Sequence, residues 1–497
     1  MKIVTTSFLV VSFLLAWVAA PARPAAAPAE TALDRHTAIR LALAQNPRVA
    51  AARAEEAVLV AQRRQVDAAR FPIVALDAGV GPSLKATLVP GTAVQSVEKQ
   101  YGGFTGSDLS AVLIANLTVA QPLYTFGKIA NRQEATDHGL RAREAQTRME
   151  RADVAFEVAQ LYEGQLLARD AERFFDETLH WLKRTEESVA DKLASSVESV
   201  SDRDLLRLKT AAGLANMGLA QARAGRAQTE AGLIAYLGLP AGSAIRLAED
   251  ELEAVGRLPA GFSEAISMAA DRRPELTALR EGGRAIDALA RAEAAGIAPD
   301  VFLLGLLSAA YTPGRDWLDS RFVVDPLNHV VPGLLLGLRW QFQGDGAGAR
   351  ADEQRARAQA LRHTERWAST GIPAEVRKAY EDVARARHDV QVGNAAARQA
   401  KQWMVQAGTD YGIGFGDVRE VSDAVQAYVT LRTAVLKARF DHNVAMAALS
   451  RATGTLDRQE LFFYLAPPDG DPPAQSQEQE QEQEQEQEQE QEQERKP

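Results

Sequence analysis

The chain has 497 residues, of which 46% are hydrophobic, 25% charged and only 6% aromatic, and it has no cysteine. This length allows a large core or several domains, and the lack of cysteine excludes disulfides and an acylated lipoprotein anchor. The formal net charge is −10, but nine glutamates, one arginine and one lysine in residues 478–496 account for −7 of it. The rest of the chain, at about −3, gives no reason to expect a nucleic acid as partner.

Residues 1–29 are predicted to be a secretory signal peptide. Lys2 precedes an apolar run at residues 7–20, which is too short for a stop-transfer helix. Two Ala-Pro-Ala triplets, at 20–22 and 27–29, fit the small-residue cleavage rule, and we favour the second. A retained N-terminal membrane anchor is the alternative. Later stretches fall short of the ~18 consecutive apolar residues of a membrane helix, so membrane insertion of the mature chain would require β-strands.

The first half of the mature chain, residues 30–240, is predicted to run from helix to strands and back to helix. A first helical segment is interrupted at Asn46-Pro47. Residues 71–126 contain two strands around a polar loop, and the period-two alternation is clearest from Leu113 to Ala120. A proline-free helix of ~65 residues follows, a length typical of a coiled coil or bundle. After a first tip at 194–201, a helix returns to Tyr236.

The same order of elements is predicted again after a linker at residues 241–262. The second half, residues 263–456, contains a helix interrupted at Arg273-Pro274, a strand pair within 299–343 and a long helix. A second tip at 411–418 and a returning helix to Ala452 complete it. Residues 457–497 are a C-terminal segment with a Gln/Glu-rich tail that is predicted to be disordered and periplasmic.

The two halves are predicted to be an internal repeat. Equivalent residues lie 216 to 218 positions apart, as in the pairs Tyr124/Phe342, Tyr162/Tyr380 and Gly238/Gly454. The returning helices also align their apolar residues at spacings of three and four, except that Arg226 and His442 interrupt the pattern at the same place. The alternative is that any two alanine-rich helices would align this well.

Four strands are too few to close a membrane barrel, which needs at least eight. Open sheet edges are not tolerated in lipid, because their backbone groups would have no hydrogen-bond partners. If these strands face a membrane, the chain must therefore oligomerise, and three copies would supply twelve strands.

The order of these elements resembles that of the TolC-like outer-membrane efflux protein family, from Asp34 to about Leu456. The motifs that carry the resemblance are Ala38–Pro47 (AIRLALAQNP), Gln121–Gly127 (QPLYTFG), the two returning helices and Ala452–Leu456 (ATGTL). The resemblance implies a mainly α fold with membrane β: a homotrimer whose long antiparallel helices form an α-barrel tunnel continuous with a twelve-stranded β-barrel. It further implies an exit duct in the outer membrane, joined by a periplasmic adaptor (a membrane fusion protein) to an inner-membrane transporter of a tripartite efflux or type I secretion system.

The resemblance also implies a site at the periplasmic mouth of the tunnel, where the tips lie. The family's ring of two acidic residues, three apart, matches Glu420 and Asp423, and a ring of carboxylates at a constriction attracts cations. The family's tip tyrosine matches Tyr411. The repeat offset places its aspartate partner, which holds the mouth closed, at Asp204. A solvated helix face and ordinary tip solvation are the alternatives for these residues.

The glycines of the second tip are predicted to make its turn, because they allow a sharp reversal where a helix cannot continue. They are Gly412, Gly414 and Gly416. The chain departs from the family in two ways. The family's best-known member has an arginine of the same closed-mouth contact where this chain has Gly416, and the first tip lacks its usual glycine.

Residues at the strand ends are expected to mark the membrane boundary. The boundary aromatics are Tyr124, Trp317, Trp340 and Phe342, with ordinary core aromatics as the alternative. The polar residues expected to face the barrel lumen are Asn116, Arg339 and Gln341.

Catalysis, metal binding and cofactor binding are not predicted. The glycine-rich residues 344–348 lack the G-x-G-x-x-G spacing and a surrounding βαβ series, so they are interpreted as a strand-to-helix hinge. The seven histidines are scattered without ligand spacing. The rival hypothesis to a duct is a periplasmic coiled-coil scaffold without a pore, whose strands pair in a soluble sheet.

Overall fold

The computed structural model describes residues 32–85, 109–195, 201–259, 261–317, 324–342 and 344–456. The predicted signal peptide, the loop between the first two strands, the middle of the first tip and the Gln/Glu-rich tail lie outside the described residues. Within the described ranges, no helix combines the length and the apolar character that crossing a membrane requires.

Each half begins with two short helices separated at a proline. The first pair is α1 (Arg35–Gln45) and α2 (Pro47–Ala68), and the corresponding pair of the second half is α5 (Phe262–Arg272) and α6 (Pro274–Ala294). A proline is well placed at the start of a helix, because the first helical N–H groups have no partner within the helix. Asn46 caps α2 by accepting a hydrogen bond from the backbone N–H of Arg48 at 2.8 Å.

The long helices of the two halves have equal lengths. Helices α3 (Lys128–Ala194) and α7 (Gly346–Gly412) contain 67 residues each, or about 100 Å of helix. The returning helices α4 (Asp202–Tyr236) and α8 (Val418–Ala452) contain 35 each. These matched lengths support the predicted repeat. Helix α7 continues through Pro373 and extends to Gly412, beyond the expected end at Asp410.

The four long strands form one antiparallel sheet in the order β2-β3-β5-β6. They are β2 (Ile73–Leu84), β3 (Leu109–Tyr124), β5 (Asp300–Tyr311) and β6 (His329–Arg339). Because β3 pairs with β5, the sheet joins the two halves of the chain. Within the described part of the chain, β2 and β6 each pair on one side only, so the sheet has two open edges.

The strand register gives the sheet a polar face, which contains its charged residues among apolar ones such as Leu335, and an apolar face. Asn116 lies opposite both Asp77 and Ser308, and Arg339 lies opposite Asp300. Because directly opposite residues point to the same side and side chains alternate along a strand, all five polar residues share one face. Among the described strand residues, the other face is apolar apart from one glutamine and the tyrosines at the strand ends; its members include Leu76, Val80, Leu113, Leu117, Leu307, Leu334, Leu336 and Leu338.

A polar clasp, which the sequence did not predict, ties the first described residues to the helices. Strand β1 (Ala32–Leu33) pairs in parallel with β4 (Arg246–Leu247) in the linker. Next to this pair, buried Arg35 forms ion pairs with Glu163 of α3 at 2.6 Å and with Glu249 of the linker at 2.8 Å. Asn443 of α8 donates to the same Glu163 carboxylate at 2.7 Å. The clasp therefore holds the linker across α3 and α8.

Candidate functional site at the helical hairpin ends

The second tip makes a tight turn between α7 and α8. The backbone N–H groups of Phe415 and Gly416 both donate to the carbonyl of Asp410, each at 2.9 Å. Gly414 has φ +90°, a conformation that favours glycine. A Cβ added at Gly416 would lie 2.5 Å from the backbone nitrogen of Tyr411, whereas none of the neighbouring atoms would lie within 4 Å of one at Gly412.

The three tip glycines therefore have different roles. Gly414 supplies the left-handed backbone, and Gly416 supplies the space that brings the turn against the end of α7. Gly412 is the last residue of α7 and meets neither requirement. The close approach at Gly416 also means that this turn could not carry an arginine at the same position without moving the backbone.

Tyr411 lies between the two hairpins and is 6% exposed. The Lys192 ammonium, at the end of α3, donates to the carbonyl of Tyr411 at 2.9 Å and lies 4.0 Å from the centre of its ring. The hydroxyl of Tyr411 is buried and has no hydrogen-bond partner among the described residues. Burial and the negative charge of Asp204 raise the pKa of the Tyr411 hydroxyl above its ordinary value.

Asp204 is 8% exposed, and its carboxylate is engaged within its own helix end. One oxygen accepts from the backbone N–H and the hydroxyl of Ser201 at 3.0 and 2.7 Å, which caps the start of α4. The other oxygen accepts from Arg207 at 3.2 Å. The structure thus brings Asp204 close enough to Tyr411 to act on it electrostatically, without the hydrogen bond that the family resemblance implies.

Glu420 and Asp423 are exposed in the first turns of α8. Glu420 accepts a long hydrogen bond of 3.4 Å from the indole N–H of Trp403, and Asp423 lies 4.0 Å from the guanidinium of Arg419. Because both carboxylates are exposed and three residues apart, they share one face of the helix and are accessible to ions.

The ends of the four long helices pack together through an apolar cluster. Its buried members come from α3, α4, α7 and α8 and include Leu182, Val189, Leu208, Met404, Val421 and Val425. A movement of one hairpin end against the other must therefore rearrange this cluster as well as the polar contacts of Tyr411.

The predicted boundary aromatics lie at both ends of the sheet and are each more than half exposed. Tyr124 and Trp340 lie at the end nearest the helices, and the indole N–H of Trp340 donates to the carbonyl of Ile297 at 3.0 Å. A bulge after Pro122 pairs Tyr124 with Val301 and so turns the tyrosine to the apolar face. Phe342 follows Trp340 beyond the end of β6, and Trp317 follows β5 at the opposite end.

Two of the three predicted lumen residues lie on the polar face. Asn116 accepts a hydrogen bond of 2.7 Å from Ser308, and the Arg339 guanidinium lies 5.5 Å from the ring centre of Phe302. Gln341 lies two residues beyond the end of β6, so strand alternation does not place it on either face.

Comparisons with known proteins agree with this architecture. Residues 38–239 match the model of the outer membrane efflux protein family. The fold is similar to the MtrE outer membrane channel of Neisseria gonorrhoeae in its open state, with a TM-score of 0.67 and 19% identity over 85% of this chain and 89% of that one.

The chain has the fold of the outer-membrane efflux channels. VceC of Vibrio cholerae, an outer membrane protein, gives a TM-score of 0.66 at 17% identity, covering 84% of this chain and 96% of VceC. CusC, whose structures describe transmembrane channel formation, gives 0.65 at 22% identity, covering 84% and 92%. No curated protein matches the chain. The resemblance to the TolC-like family and the mainly α fold with a four-stranded sheet are thereby confirmed.

Sequence reasoning missed Lys192 and the polar clasp. The repeat offset of 218 pairs Lys192 with Asp410, so the alignment of the two halves gives no sign that this lysine is special. Arg35 could have been noticed as a charged residue at the start of an apolar helix, but its partner Glu163 lies 128 residues away.

Proposed function

We propose that this protein is the outer-membrane exit duct of a tripartite efflux or type I secretion system. Three copies would join their sheets into a twelve-stranded barrel and their helices into a periplasmic tunnel. The duct would be a passive conduit without enzymatic activity, and a periplasmic adaptor and an inner-membrane transporter would deliver its cargo.

The observation that carries this proposal is the four-stranded sheet with two open edges and two unlike faces. An apolar face of exposed leucines suits lipid, and a face with Asp77, Asn116 and Arg339 suits a water-filled lumen. Open edges in lipid would leave backbone groups unpaired, so further copies must close the sheet. In a pore-less periplasmic scaffold, the exposed leucines of the apolar face would be left in contact with water.

We propose further that Glu420 and Asp423 form a cation-attracting ring at the mouth. Their exposure and shared helix face support this role, because three copies would bring six carboxylates to one constriction.

The test is ion conductance of the purified, detergent-extracted protein in planar lipid bilayers under a salt gradient. We expect channel currents with a preference for K⁺ over Cl⁻, and Glu420→Gln/Asp423→Asn should move the reversal potential toward zero. Asp441→Asn, farther along the same helix, is the matched control and should leave it unchanged. A water-soluble protein without currents would favour the scaffold.

We also propose that Tyr411 and Asp204 face each other in the closed mouth. The support is the Tyr411 hydroxyl, which is buried without a hydrogen-bond partner among the described residues, and the electrostatic effect of Asp204 on it. Because the chain has no cysteine, the double variant Tyr411→Cys/Asp204→Cys can be oxidised mildly in intact cells. A disulfide needs Cα atoms within about 7 Å, so an efficient crosslink absent from both single variants is expected. Correctly localised protein without a crosslink would contradict the pairing.

A further inference from the structure

Lys192 contacts the end of the other hairpin in two ways at once. Its ammonium donates to the Tyr411 carbonyl at 2.9 Å and lies 4.0 Å from the centre of the Tyr411 ring. The carbonyl belongs to the last turn of α7, where the helix dipole is negative and attracts a cation. The ring face attracts the same cation through its quadrupole. Both contacts join α3 to a residue 219 positions away.

The same place cannot receive a cation from the tip turn itself. A side chain at position 416 would meet the backbone of Asp410 and Tyr411 at 2.5 to 2.9 Å. The residue equivalent to Lys192 in the second half is Asp410, which has the opposite charge. Within the described ranges, the contact is therefore made only by the end of α3, and it is not a consequence of the repeat.

The contact is also suited to being broken. Lys192 is half-buried, so its ammonium can return to water when the hairpins separate, whereas the ring of Tyr411 is almost fully buried. The Tyr411 hydroxyl takes no part in it, since both contacts use the carbonyl and the ring face.

We propose that Lys192 is the positioning residue that holds the end of α7 against α3 in the closed mouth, through the carbonyl and ring of Tyr411. This proposal rests on the proposed function as a duct. In the closed state, the cation that contacts Tyr411 then comes from the first hairpin. Position 416 can therefore remain a glycine and make the tight turn.

Three variants test the proposal in planar bilayers. Lys192→Met keeps the aliphatic stem and removes the charge, whereas Lys192→Arg keeps a cation. The control, Lys209→Met, removes another lysine, whose ammonium lies 3.9 Å from Glu186. We expect Lys192→Met to raise the open fraction of the channel at least about threefold, because each of the three copies loses a partly exposed cation–π contact that alone is worth about that factor. Lys192→Arg and Lys209→Met should match the unmodified protein.

The outcomes separate this proposal from the proposed function. Currents in the unmodified protein with the same open fraction in Lys192→Met would overturn the role of Lys192 and leave the duct intact. A lower melting temperature of Lys192→Met without a change in open fraction would show a merely structural role and would also overturn it. If Lys192→Met does not assemble, Lys192→Gln is measured in the same way. Absence of currents in every protein would overturn the duct itself.

Discussion

The starts of the two returning helices occupy equivalent positions but use their acidic residues differently. Asp204 and Glu420, 216 positions apart, are each the third residue of their helix. In α4 the N-cap is Ser201, whose backbone N–H and hydroxyl draw the Asp204 carboxylate inward. In α8 the N-cap is Asp417, which accepts from the N–H of Arg419 at 3.0 Å and so caps the helix by itself.

The identity of the N-cap residue, serine in α4 and aspartate in α8, decides whether the carboxylate of the third helical residue is free. A serine cap is completed by an acidic side chain three residues on, whereas an aspartate cap needs no such help. Glu420 is therefore left exposed on α8, where the proposed ring requires it, and Asp204 is retained near Tyr411.

The two hairpins also differ where their apolar pattern is interrupted. Arg226 of α4 lies at the surface and pairs with Glu172 at 3.0 Å. His442 of α8 is 6% exposed and lies beside the linker, where the backbone N–H of Val255 donates to the neighbouring Asn443 at 2.9 Å. Among the described residues the linker occurs once, and it is held to α8 by Asn443, so the described parts of the two halves differ here.

The largest expected effect is at the second tip. Gly416→Ala places a Cβ against the Tyr411 backbone and should destabilise the turn by about 1–3 kcal/mol, a typical cost of overpacking. Amide hydrogen exchange of residues 408–418 should become roughly tenfold faster or more. Gly412→Ala, which meets open space, is the matched control and should exchange at the original rate. Equal rates in both variants would contradict the different roles of the two glycines.

The next effect separates the two helix caps. Asp204→Ala should speed hydrogen exchange in the first turn of α4 by roughly fivefold, since losing such a cap costs about 1 kcal/mol. Glu420→Ala should leave the first turn of α8 unchanged, because Asp417 caps it. Equal acceleration of hydrogen exchange in the first turns of α4 and α8 would contradict this difference between the two helix caps.

A smaller effect is expected from His442 as the pH falls. Burial lowers the pKa of His442 below its ordinary value of 6.5. The unfolded chain therefore binds a proton below that pH while the folded protein does not, so stability is lost as pH falls from about 6.5 toward the folded pKa. The melting temperature should drop less in His442→Gln than in the unmodified protein between about pH 7 and pH 5. Identical pH profiles would refute this contribution.

The smallest effect is expected at the equivalent surface position. Arg226→Ala removes an exposed ion pair, which is worth about 0–1 kcal/mol, so the melting temperature should change little at any pH. A loss of stability clearly above about 1 kcal/mol would mean that Arg226 contributes more than an exposed ion pair does, and the contrast with buried His442 would fail.

The sequence by itself determined the elements and the faces of the sheet. Prolines placed the breaks at Asn46-Pro47 and Arg273-Pro274, and alternation in β3 and β6 separated Asn116 and Arg339 from all the leucines of these strands except Leu335. These features depend on steric preferences and side-chain periods that act within a few residues. They can therefore be predicted from one chain.

Only the tertiary structure decided which distant residues meet. The contacts of Lys192 with Tyr411 and of Arg35 with Glu163 join residues 219 and 128 positions apart, and the cap at Ser201 withdraws Asp204 from the expected hydrogen bond with Tyr411. Each depends on how complete helices pack and on which of several partners a charged side chain finds there. Sequence periodicity specifies the face on which a residue lies, but packing of the assembled helices selects its partner.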